Sequence, residues 1–307
     1  MAFVTTTKDA KSFRKELAKT GVFYSDVKLA EELKAYLPTD ITEIYDPTCG
    51  NGNLLSVFSD DVKKYGQELD ELQVVEANER LVNSDIVAGN TLTSPAFMDR
   101  KFKAIIANPP FSIAWEQMPD DVRFNVAPAL APKSRSDYAF VLHCLYMLAD
   151  DGVCACQSFP GIAYRGNAEG KIRKWLIDQN YIDRVVHFPG GYFADTNIAT
   201  ICLVLKKNKT TTDIIFEDKA LNKERTVTLE EVIENNYCLS VNLYIYEEVK
   251  KEKVDIFAVN NRVIEELKFQ IKHILKIHRV IQEIDPINCK DIETIKNELI
   301  DVIKNEE

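Results

Sequence analysis

Residues 102–111 read FKAIIANPPF, and this stretch decides how the rest of the chain can be arranged. Ala104 to Ala107 form a short apolar run that is typical of a fully buried strand. The prolines that follow Asn108 remove amide hydrogens and keep the residues before them out of the helical region. The sequence therefore predicts a rigid, extended tetrapeptide at the carboxyl end of a buried strand, where open α/β sheets bind their ligands.

The tetrapeptide itself, Asn108-Pro109-Pro110-Phe111, offers a side-chain amide, carbonyl groups without a neighbouring N–H, and an aromatic ring. This combination suits a planar group that carries an amine. The structural alternative is a strand that ends in a proline-rich turn, and an Asn-Pro pair alone does not exclude it. All four residues together, behind a buried strand, favour a binding site.

Composition limits the classes of protein that the chain can belong to. Its 307 residues, 46% hydrophobic and 28% charged, suffice for one large α/β domain with an appendage or for two modest domains. There is no run of eighteen apolar residues and no apolar leader, so we expect neither a membrane span nor a secretory signal. Seven cysteines without a CxxC pair and four dispersed histidines predict no metal site and fit a reduced cytoplasm.

The formal net charge of −10 is unusual for a protein that grips nucleic acid, because phosphate contacts come from basic surfaces. Basic residues do gather in three groups, although a solvated surface is the simpler explanation for any one of them. The groups are Arg123, Lys133 and Arg135; Arg165, Lys171, Arg173 and Lys174; and Lys206, Lys207 and Lys209. If the substrate is DNA, we expect a partner protein to supply many of the contacts with it.

Short apolar strands alternate with helices over most of the chain. The predicted strands are 41–45, 63–67, 85–88, 102–107, 153–159, 182–188 and 198–205, and the predicted helices are 8–19, 26–36, 71–83, 137–148 and 169–179, with a further helix opening at 54–58. This alternation predicts a mostly parallel sheet with helices on both faces. The last two strands are consecutive, which allows an antiparallel edge. The long segment 112–136 is predicted to be functional or mobile.

The character of the sequence changes after about residue 210, with a possible strand at 241–246. Apolar residues then recur at helical-to-heptad spacing, at positions 263, 264, 267, 271, 274, 277, 281 and 284, and a second amphipathic helix is predicted over 292–303. We therefore expect a main domain over 1–210 and a C-terminal helical extension over 211–307. The extension could pack back on the domain, but its length and charge favour docking to a partner or to DNA.

A glycine-containing loop, DPTCGNGN at 46–53, follows the first predicted strand. Glycines in such a loop allow the backbone to approach a ligand closely. The full dinucleotide fingerprint is absent, because Leu55 stands where its third glycine would be, and this disfavours a nicotinamide enzyme. Glu68 ends the second predicted strand, where a carboxylate can accept hydrogen bonds from both hydroxyls of a ribose.

Eight motifs follow one another in a fixed order. They are GVFYS (21–25), DPTCGNG (46–52), YGQELD (65–70), AGNTL (88–92), ANPPF (107–111), SDYAFVLHCLYML (136–148), KIRKWLIDQN (171–180) and FPGGYFADTNIATICLVLKK (188–207). This order resembles that of the N6-adenine DNA methyltransferases, in particular the modification subunits of type I restriction systems. The resemblance implies S-adenosylmethionine as the methyl donor, duplex DNA as the substrate, and a Rossmann-like class I methyltransferase fold with an antiparallel final strand.

The resemblance also implies roles for individual residues. The expected cofactor-binding residues are Phe23, Tyr24, Ser25, Asp46, Thr48, Gly50, Gly52, Glu68, Asn90 and Asn108; the catalytic residues are Asn108, Pro109, Pro110 and Phe111; and weaker candidates for DNA or substrate contact are Asp137, Tyr138, Arg165 and Asn197. The adenine would leave the duplex and stack on Phe111. The Asn108 side chain and the Pro109 carbonyl would accept the two N6 hydrogens, and no metal is needed.

The chain departs from the family pattern at several points. Ser25-Asp26 stands where Thr-Pro is common, and Asn90 stands where Asp is common, so Asn90 is expected to accept a hydrogen bond from the cofactor's adenine amino group without charge. The large helical region that precedes the motifs in those subunits is not seen, and no long target-recognition domain follows the core. We therefore expect a separate specificity subunit, or a homo-oligomer formed through the C-terminal helices.

Two other functions remain open from the sequence. One is a protein glutamine-N5 methyltransferase acting on a release factor, which also uses an Asn-Pro-Pro-aromatic loop; GVFYS and the apolar helix 137–148 favour DNA. The other is a catalytically weak cofactor-binding subunit that recruits partners through residues 258–304.

Overall fold

The computed structural model describes residues 27–192, 197–246, 255–286 and 291–304. The chain separates into two compact units, Met1–Tyr246 and Glu247–Glu307. The predicted helix over 8–19 and the three residues Phe23, Tyr24 and Ser25 lie outside the described residues. The predicted boundary at residue 210 falls inside the first unit, because strands on both sides of it belong to one sheet.

The described part of the first unit is built on a nine-stranded sheet. Its strands are β1 (Glu43–Asp46), β2 (Lys63–Glu68), β3 (Ser84–Ala88), β4 (Phe102–Ala107), β5 (Leu148–Ser158), β6 (Ile182–Phe188), β7 (Thr200–Lys206), β8 (Ile214–Asp218) and β9 (Lys223–Val227). Their order across the sheet is β3-β2-β1-β4-β5-β7-β6-β8-β9. Only β7 and β9 run antiparallel to their neighbours. The predicted mixed α/β architecture is confirmed.

Helices cover both faces of this sheet, and strand periodicity explains why. The helices are α1 (Val27–Lys34), α2 (Glu71–Arg80), α3 (Asp137–Met147), α4 (Asn167–Asp178) and α5 (Leu229–Glu234). Successive residues of a strand point to opposite faces. Ile105 accordingly joins the core formed with α3 and α4, whereas Ile106 joins the core formed with α1 and α2. β4 therefore lies buried at the centre, and its carboxyl end leads into Asn108-Pro109-Pro110-Phe111.

Three local predictions are corrected by the structure. The helix predicted to open at 54–58 is a single 3₁₀ turn, Leu55–Val57, because the chain is already extended at Phe58 and enters β2 at Lys63. The strand predicted at 241–246 is instead a 3₁₀ turn, Val241–Leu243. The predicted antiparallel pairing of β6 and β7 is confirmed, but this pair does not form the edge of the sheet.

The sheet continues past β6 because the segment after residue 210 carries its own buried apolar residues. β8 pairs parallel with β6, and β9 pairs antiparallel with β8. Phe216 of β8 is fully buried and packs against the ring of Tyr244, with ring centroids 4.0 Å apart. Residues 214–246 therefore complete the core of the first unit.

The second unit contains α6 (Ile256–Ile284) and α7 (Ile292–Lys304), as the sequence pattern predicted. Asp255 caps α6 by accepting hydrogen bonds from the backbone N–H groups of Phe257 and Ala258. None of the described residues of α6 is buried, and most of its apolar side chains are exposed. In the described ranges, no helix combines the length and the apolar character needed to cross a membrane.

Candidate active site

Four loops meet at one edge of the sheet, because β3, β2, β1 and β4 are parallel neighbours. Carboxyl ends of parallel strands lie at the same edge. The loop after β1 carries the glycines, the loop after β2 begins at Glu68, the turn after β3 holds Asn90, and β4 leads into Asn108. The structure thus brings together the predicted cofactor residues that lie in its described part.

Asp46 is a fully buried carboxylate at the end of β1. Its Oδ1 accepts a hydrogen bond of 2.9 Å from the Thr48 N–H. Its Oδ2 and the Thr48 hydroxyl are both buried and have no hydrogen-bond partner among the described residues. Burial, and to a smaller extent the Glu68 carboxylate, raise the pKa of Asp46 to about 8. This edge therefore offers unused polar atoms that a cationic or hydrogen-bonding ligand could satisfy.

The two glycines of the loop after β1 do different things. Both have positive φ, +53° at Gly50 and +82° at Gly52, a conformation that glycine adopts without strain. A Cβ added at Gly52 would lie 2.6 Å from Leu81 Cδ1, so Gly52 allows close packing against the end of α2. A Cβ added at Gly50 would meet nothing closer than Gln73 Oε1 at 4.0 Å. Gly50 therefore borders open space into which a ligand could fit.

Glu68 is held firmly by backbone amides. Its Oε2 accepts a 2.9 Å hydrogen bond from the Gly50 N–H, and its Oε1 accepts hydrogen bonds from Leu69 and Asp70 N–H at 2.7 and 3.0 Å. A carboxylate oxygen has about two lone pairs for acceptance. Oε2 thus keeps one acceptor position, so the predicted bonds to both hydroxyls of a ribose would have to share it.

Asn90 has a different orientation from the predicted one. Its side-chain oxygen accepts hydrogen bonds from the N–H groups of Leu92, at 2.9 Å, and Thr93, at 3.3 Å. This is an Asx turn, the local motif that Asn forms with the backbone that follows it. The amide oxygen is therefore committed to the turn, and the NH₂ group, a donor, faces away from these contacts. A donor suits a ring nitrogen of adenine and does not suit its amino group.

The tetrapeptide Asn108-Pro109-Pro110-Phe111 leaves β4 between two neighbouring strands. β1 lies on one side, with Tyr45 opposite Ile105, and β5 on the other, with Cys156 opposite Ala107. Pro109 is buried, and Asn108, Pro110 and Phe111 are half-buried. The sequence analysis did not identify Gln157 of β5 as a candidate site residue. Gln157 directly follows Cys156, and its buried Oε1 has no hydrogen-bond partner in the described part of the chain. No motif pointed to this position.

Asp137 and Ser112 close the base of the loop that follows the tetrapeptide. Ser112 has a positive φ of +52°, unusual for a residue with a side chain, and its N–H donates to Asp137 Oδ1 at 3.2 Å. The Ser136 N–H donates to the Ile113 carbonyl at 2.9 Å. Burial raises the pKa of Asp137. Contact of Asp137 with DNA stays a prediction. In the structure, Asp137 binds Ser112, the residue directly after Phe111.

The remaining substrate candidates differ in accessibility. Tyr138 is fully buried and donates its hydroxyl hydrogen bond to the Ile162 carbonyl, so the prediction that it lines a DNA pocket is corrected to a core role. Arg165 is partly exposed and forms an ion pair of 3.4 Å with the buried Glu169. Arg135, 40% exposed, pairs with the same Glu169 at 3.4 Å. Asn197 is exposed next to residues outside the described ranges.

In two of the three groups of basic residues, one arginine is buried in the core and is not at the surface. Arg123 is fully buried, and Arg173 is only 5% exposed. Lys207 and Lys209 donate hydrogen bonds to backbone carbonyls, at 2.6 Å to Leu148 and 2.7 Å to Ile182. Arg123 and Arg173 are therefore not part of an accessible basic surface. The described residues also contain no cluster of three or more side chains that could hold a metal ion.

A sheet in this order, with binding loops after β1, β2 and β3 and Asn-Pro-Pro-Phe after β4, is that of the Rossmann-like class I methyltransferases. The chain belongs to the N-6 DNA Methylase family, whose model matches residues 10–226. The predicted resemblance is confirmed. The family favours the predicted DNA methyltransferase over a protein glutamine methyltransferase.

Relatives of known type support this assignment. The chain is 32% identical to the methylase subunit of the type I restriction enzyme MpnII of Mycoplasma pneumoniae, over 80% of this chain and 56% of the relative. It is 25% identical to the MjaVII methylase subunit of Methanocaldococcus jannaschii, over 80% and 52%. The crystal structure of a type I methyltransferase subunit from Streptococcus thermophilus is 30% identical with a TM-score of 0.66, over 76% of this chain and 62% of that one. The chain spans about half the length of these curated relatives.

Proposed function

We propose that this chain carries the catalytic part of a DNA adenine-N6 methyltransferase of a type I restriction-modification system, with S-adenosylmethionine as methyl donor. The observation that carries the proposal is the position of Asn108-Pro109-Pro110-Phe111, which directly follows β4 beside the loops after β1, β2 and β3. Membership of the N-6 DNA Methylase family supports the choice of adenine N6 as the acceptor.

The residues present fit the proposed cofactor. S-adenosylmethionine carries a cationic sulfonium whose methyl group is the one transferred. Asp46 Oδ2 and the Thr48 hydroxyl are buried without a hydrogen-bond partner in the part of the chain that the structure describes, and they offer acceptors to a positively charged, hydrogen-bonding ligand. Gly50 leaves space for close approach, and Glu68 Oε2 keeps an acceptor position for a ribose hydroxyl. Gly52 shapes the loop, and the Asn90 NH₂ group would donate to a ring nitrogen of adenine.

The tetrapeptide provides the chemistry toward the target base. The lone pair of adenine N6 is delocalised into the ring, so the amino group is a poor nucleophile. The Asn108 amide oxygen and the Pro109 carbonyl would accept its two hydrogens and stabilise the positive charge that develops on nitrogen. Phe111 would stack on the base once it has left the duplex. Positioning of two reactants in line supplies most of the rate enhancement.

The fixed end of the tetrapeptide supports this mechanism. Ser112 is bonded through its N–H to the buried Asp137, which begins the rigid helix α3. Phe111 is therefore held at both ends, by β4 on one side and by α3 on the other. Preorganised groups avoid reorganisation during the reaction, which is why they contribute more than mobile ones. Asp137 is thus proposed as a positioning residue for the catalytic tetrapeptide.

Binding of DNA is proposed to depend on a partner. The chain has a net charge of −10; Lys133 is exposed, whereas Arg135 and Arg165 are only partly exposed and both form ion pairs with Glu169. The apolar side of α6 offers a helical surface of the kind that pairs with other helices. A specificity subunit that docks on α6 would bring both sequence recognition and the missing positive charge, and a second copy of the chain is the alternative occupant.

Transfer of labelled methyl groups tests the proposed function. The protein is incubated with methyl-labelled S-adenosylmethionine and either duplex DNA or a protein substrate mixture, with and without a type I specificity subunit. We expect label in DNA, increased by the specificity subunit, and none in protein. Label on protein glutamine, with DNA unlabelled under all conditions, would overturn the proposal.

A further inference from the structure

Arg123 is the largest fully buried side chain among the described residues. It lies in the middle of the loop 112–136, which follows the catalytic tetrapeptide. A guanidinium is always charged and carries five N–H donors. Burying such a group is costly unless each donor finds an acceptor and the charge is balanced. The partners of Arg123 therefore show what this loop is fixed to.

All five donors of Arg123 have acceptors. Nε donates to the Asp121 carboxylate at 2.9 Å, and one terminal nitrogen donates to the same carboxylate at 2.7 Å. That nitrogen also donates to the Leu92 carbonyl at 2.6 Å. The other terminal nitrogen donates to the Thr91 carbonyl at 2.7 Å and to His143 Nδ1 at 3.0 Å. The guanidinium thus joins its own loop to the turn after β3 and to α3.

The histidine partner must be neutral in this arrangement. Because arginine only donates, His143 Nδ1 is the acceptor, and its proton resides on Nε2, which faces the Tyr45 hydroxyl at 3.0 Å. Burial, reinforced by the charge of Arg123, lowers the pKa of His143 to about 3. The network therefore runs from Asp121 through Arg123 and His143 to Tyr45 on β1. Its only charged members are Asp121 and Arg123, which form an ion pair.

The two carbonyls that Arg123 binds belong to the proposed cofactor site. Thr91 and Leu92 directly follow Asn90, and the Leu92 N–H is bonded by the Asn90 side chain. The Thr91 hydroxyl in turn donates a hydrogen bond to the carbonyl of Pro47, in the glycine-containing loop after β1. Arg123 is thus connected through one residue, Thr91, to both loops that are expected to surround the cofactor.

We propose that Arg123 is a positioning residue that fixes loop 112–136 to the turn after β3 and so couples cofactor binding to the position of the loop that leaves the catalytic tetrapeptide. The inference rests on the proposed function, because it requires the turn after β3 to form part of the cofactor site. Coupling of this kind is reciprocal: a ligand that orders the turn orders the loop, and loss of the loop's attachment weakens the ligand.

The matched control is Arg173, a second buried arginine. It donates to the carbonyls of Tyr237 at 2.8 Å, Ile162 at 3.0 Å and Arg165 at 2.8 Å, and none of these belongs to a proposed cofactor loop. Arg173→Met and Arg123→Met both remove a buried guanidinium that binds backbone carbonyls. A merely structural role for Arg123 predicts that the two variants behave alike at the cofactor site.

Hydrogen–deuterium exchange of the full chain, with and without S-adenosylmethionine, tests the inference. Without cofactor, we expect Arg123→Met to speed exchange about tenfold or more both in loop 112–136 and in residues 89–93, and Arg173→Met to leave both segments unchanged. With cofactor, wild type gains protection in loop 112–136. Arg123→Met loses this protection and binds the cofactor at least about fivefold more weakly in calorimetry.

Arg123→Lys keeps the charge but has fewer donors, and we expect an intermediate effect; it replaces Arg123→Met if that variant does not fold. Unchanged exchange in the loop or in the turn would refute the attachment. Cofactor-induced protection that persists in the Arg123 variants would refute the coupling. A wild-type protein that does not bind S-adenosylmethionine would refute the proposed function instead, and the comparison without cofactor would still decide whether Arg123 joins the two segments.

Discussion

Asp46 and Asp137 are both buried carboxylates at the candidate site, and each uses one oxygen to bind a backbone N–H. In both cases the second oxygen has no partner among the described residues. Asp137 binds Ser112, so its position explains the conformation of the chain after Phe111. Asp46 binds Thr48 in the proposed cofactor loop, so its unused oxygen is the one that a cationic cofactor would meet.

The raised pKa of Asp46 makes stability depend on pH in a definite direction. Burial raises this pKa from 3.8 to about 8 in the folded protein. The folded state therefore holds a proton that the unfolded state has lost, and the contribution of this group to stability is present below about pH 4 and declines as pH rises to about 8. We expect Asp46→Asn to remove that decline, by at most about 1.4 kcal/mol per pH unit, in denaturation curves measured without cofactor.

Thr48→Val provides the control for the Asp46 experiment, because it removes the buried hydroxyl of a neighbouring residue that has no titrating group. Its effect on the free energy of unfolding should be the same at every pH from 4 to 8. Cofactor affinity of the wild type should also rise with pH over this range, since a cationic ligand favours the ionised carboxylate. An Asp46→Asn variant that keeps the wild-type pH dependence would contradict the assignment.

At the scale of single elements, the loop after β1 combines two glycines with separable tasks. Alanine at either position adopts a left-handed conformation that costs roughly 1–2 kcal/mol. Gly52→Ala also places a methyl group against Leu81, whereas Gly50→Ala places one in open space beside the proposed cofactor site. We expect Gly52→Ala to lose more unfolding free energy and Gly50→Ala to lose more cofactor affinity, measured by chemical denaturation and calorimetry.

For this glycine pair, the informative quantity is the loss of cofactor affinity compared with the loss of unfolding free energy in each variant. If Gly50→Ala binds S-adenosylmethionine as tightly as the wild type, the space beside Gly50 does not receive the cofactor. If both variants lose affinity only in proportion to their stability, the loop serves the fold alone.

Elements with strong periodicity were predictable from the sequence, and those set by partners in space were not. The bounds predicted for β4 and β6 match the structure, because apolar runs between turn residues leave few alternatives. β9 was missed, since four of its five residues are exposed and only its pairing with β8 makes it a strand. The 3₁₀ turn at Leu55–Val57 was predicted as a helix, because composition does not show how soon β2 must begin.

Site residues divide in the same way. Asp46, Glu68, Asn90 and Asn108 lie at the carboxyl ends of strands or within two residues after them, so their place at one edge could be predicted from order alone. The burial of Arg123 could not be predicted, because two of its acceptors are the backbone carbonyls of Thr91 and Leu92, which are distant in sequence and available at any residue type. The orientation of Asn90 is also decided by backbone N–H groups that a motif does not reveal.

At the scale of the whole molecule, an acidic first unit is followed along the chain by a helical unit in which most of the apolar side chains of α6 are exposed. Leu267, Ile274 and Ile281 recur at intervals of seven along α6, the repeat by which helices pair. They are about half-exposed, at 52%, 53% and 48%. This side of α6 is consistent with the proposal that a partner brings DNA to the first unit.

Replacing these three residues tests the partner proposal. We expect Leu267→Ser/Ile274→Ser/Ile281→Ser to weaken binding of a specificity subunit by about 100-fold or more, since each buried apolar side chain contributes roughly 1.5–3 kcal/mol. The control changes the exposed polar residues of the same helix, Glu266→Ser/Lys276→Ser/Glu283→Ser. Cofactor affinity should stay unchanged in both variants. Binding measured by ultracentrifugation that is equal in the two variants would show that this side of α6 is not the docking surface.

The most direct test of the central claim is the rate at which Asn108→Ala forms N6-methyladenine in a single turnover. Wild type, Asn108→Ala and the control Asn125→Ala, which changes an exposed asparagine of loop 112–136, are each saturated with S-adenosylmethionine and mixed with duplex DNA and a specificity subunit. The DNA is then digested and its nucleosides are measured by mass spectrometry. At saturating cofactor, the account predicts N6-methyladenine from wild type and Asn125→Ala, and a rate at least about 10²–10³-fold lower from Asn108→Ala. Equal rates from Asn108→Ala and wild type would contradict it.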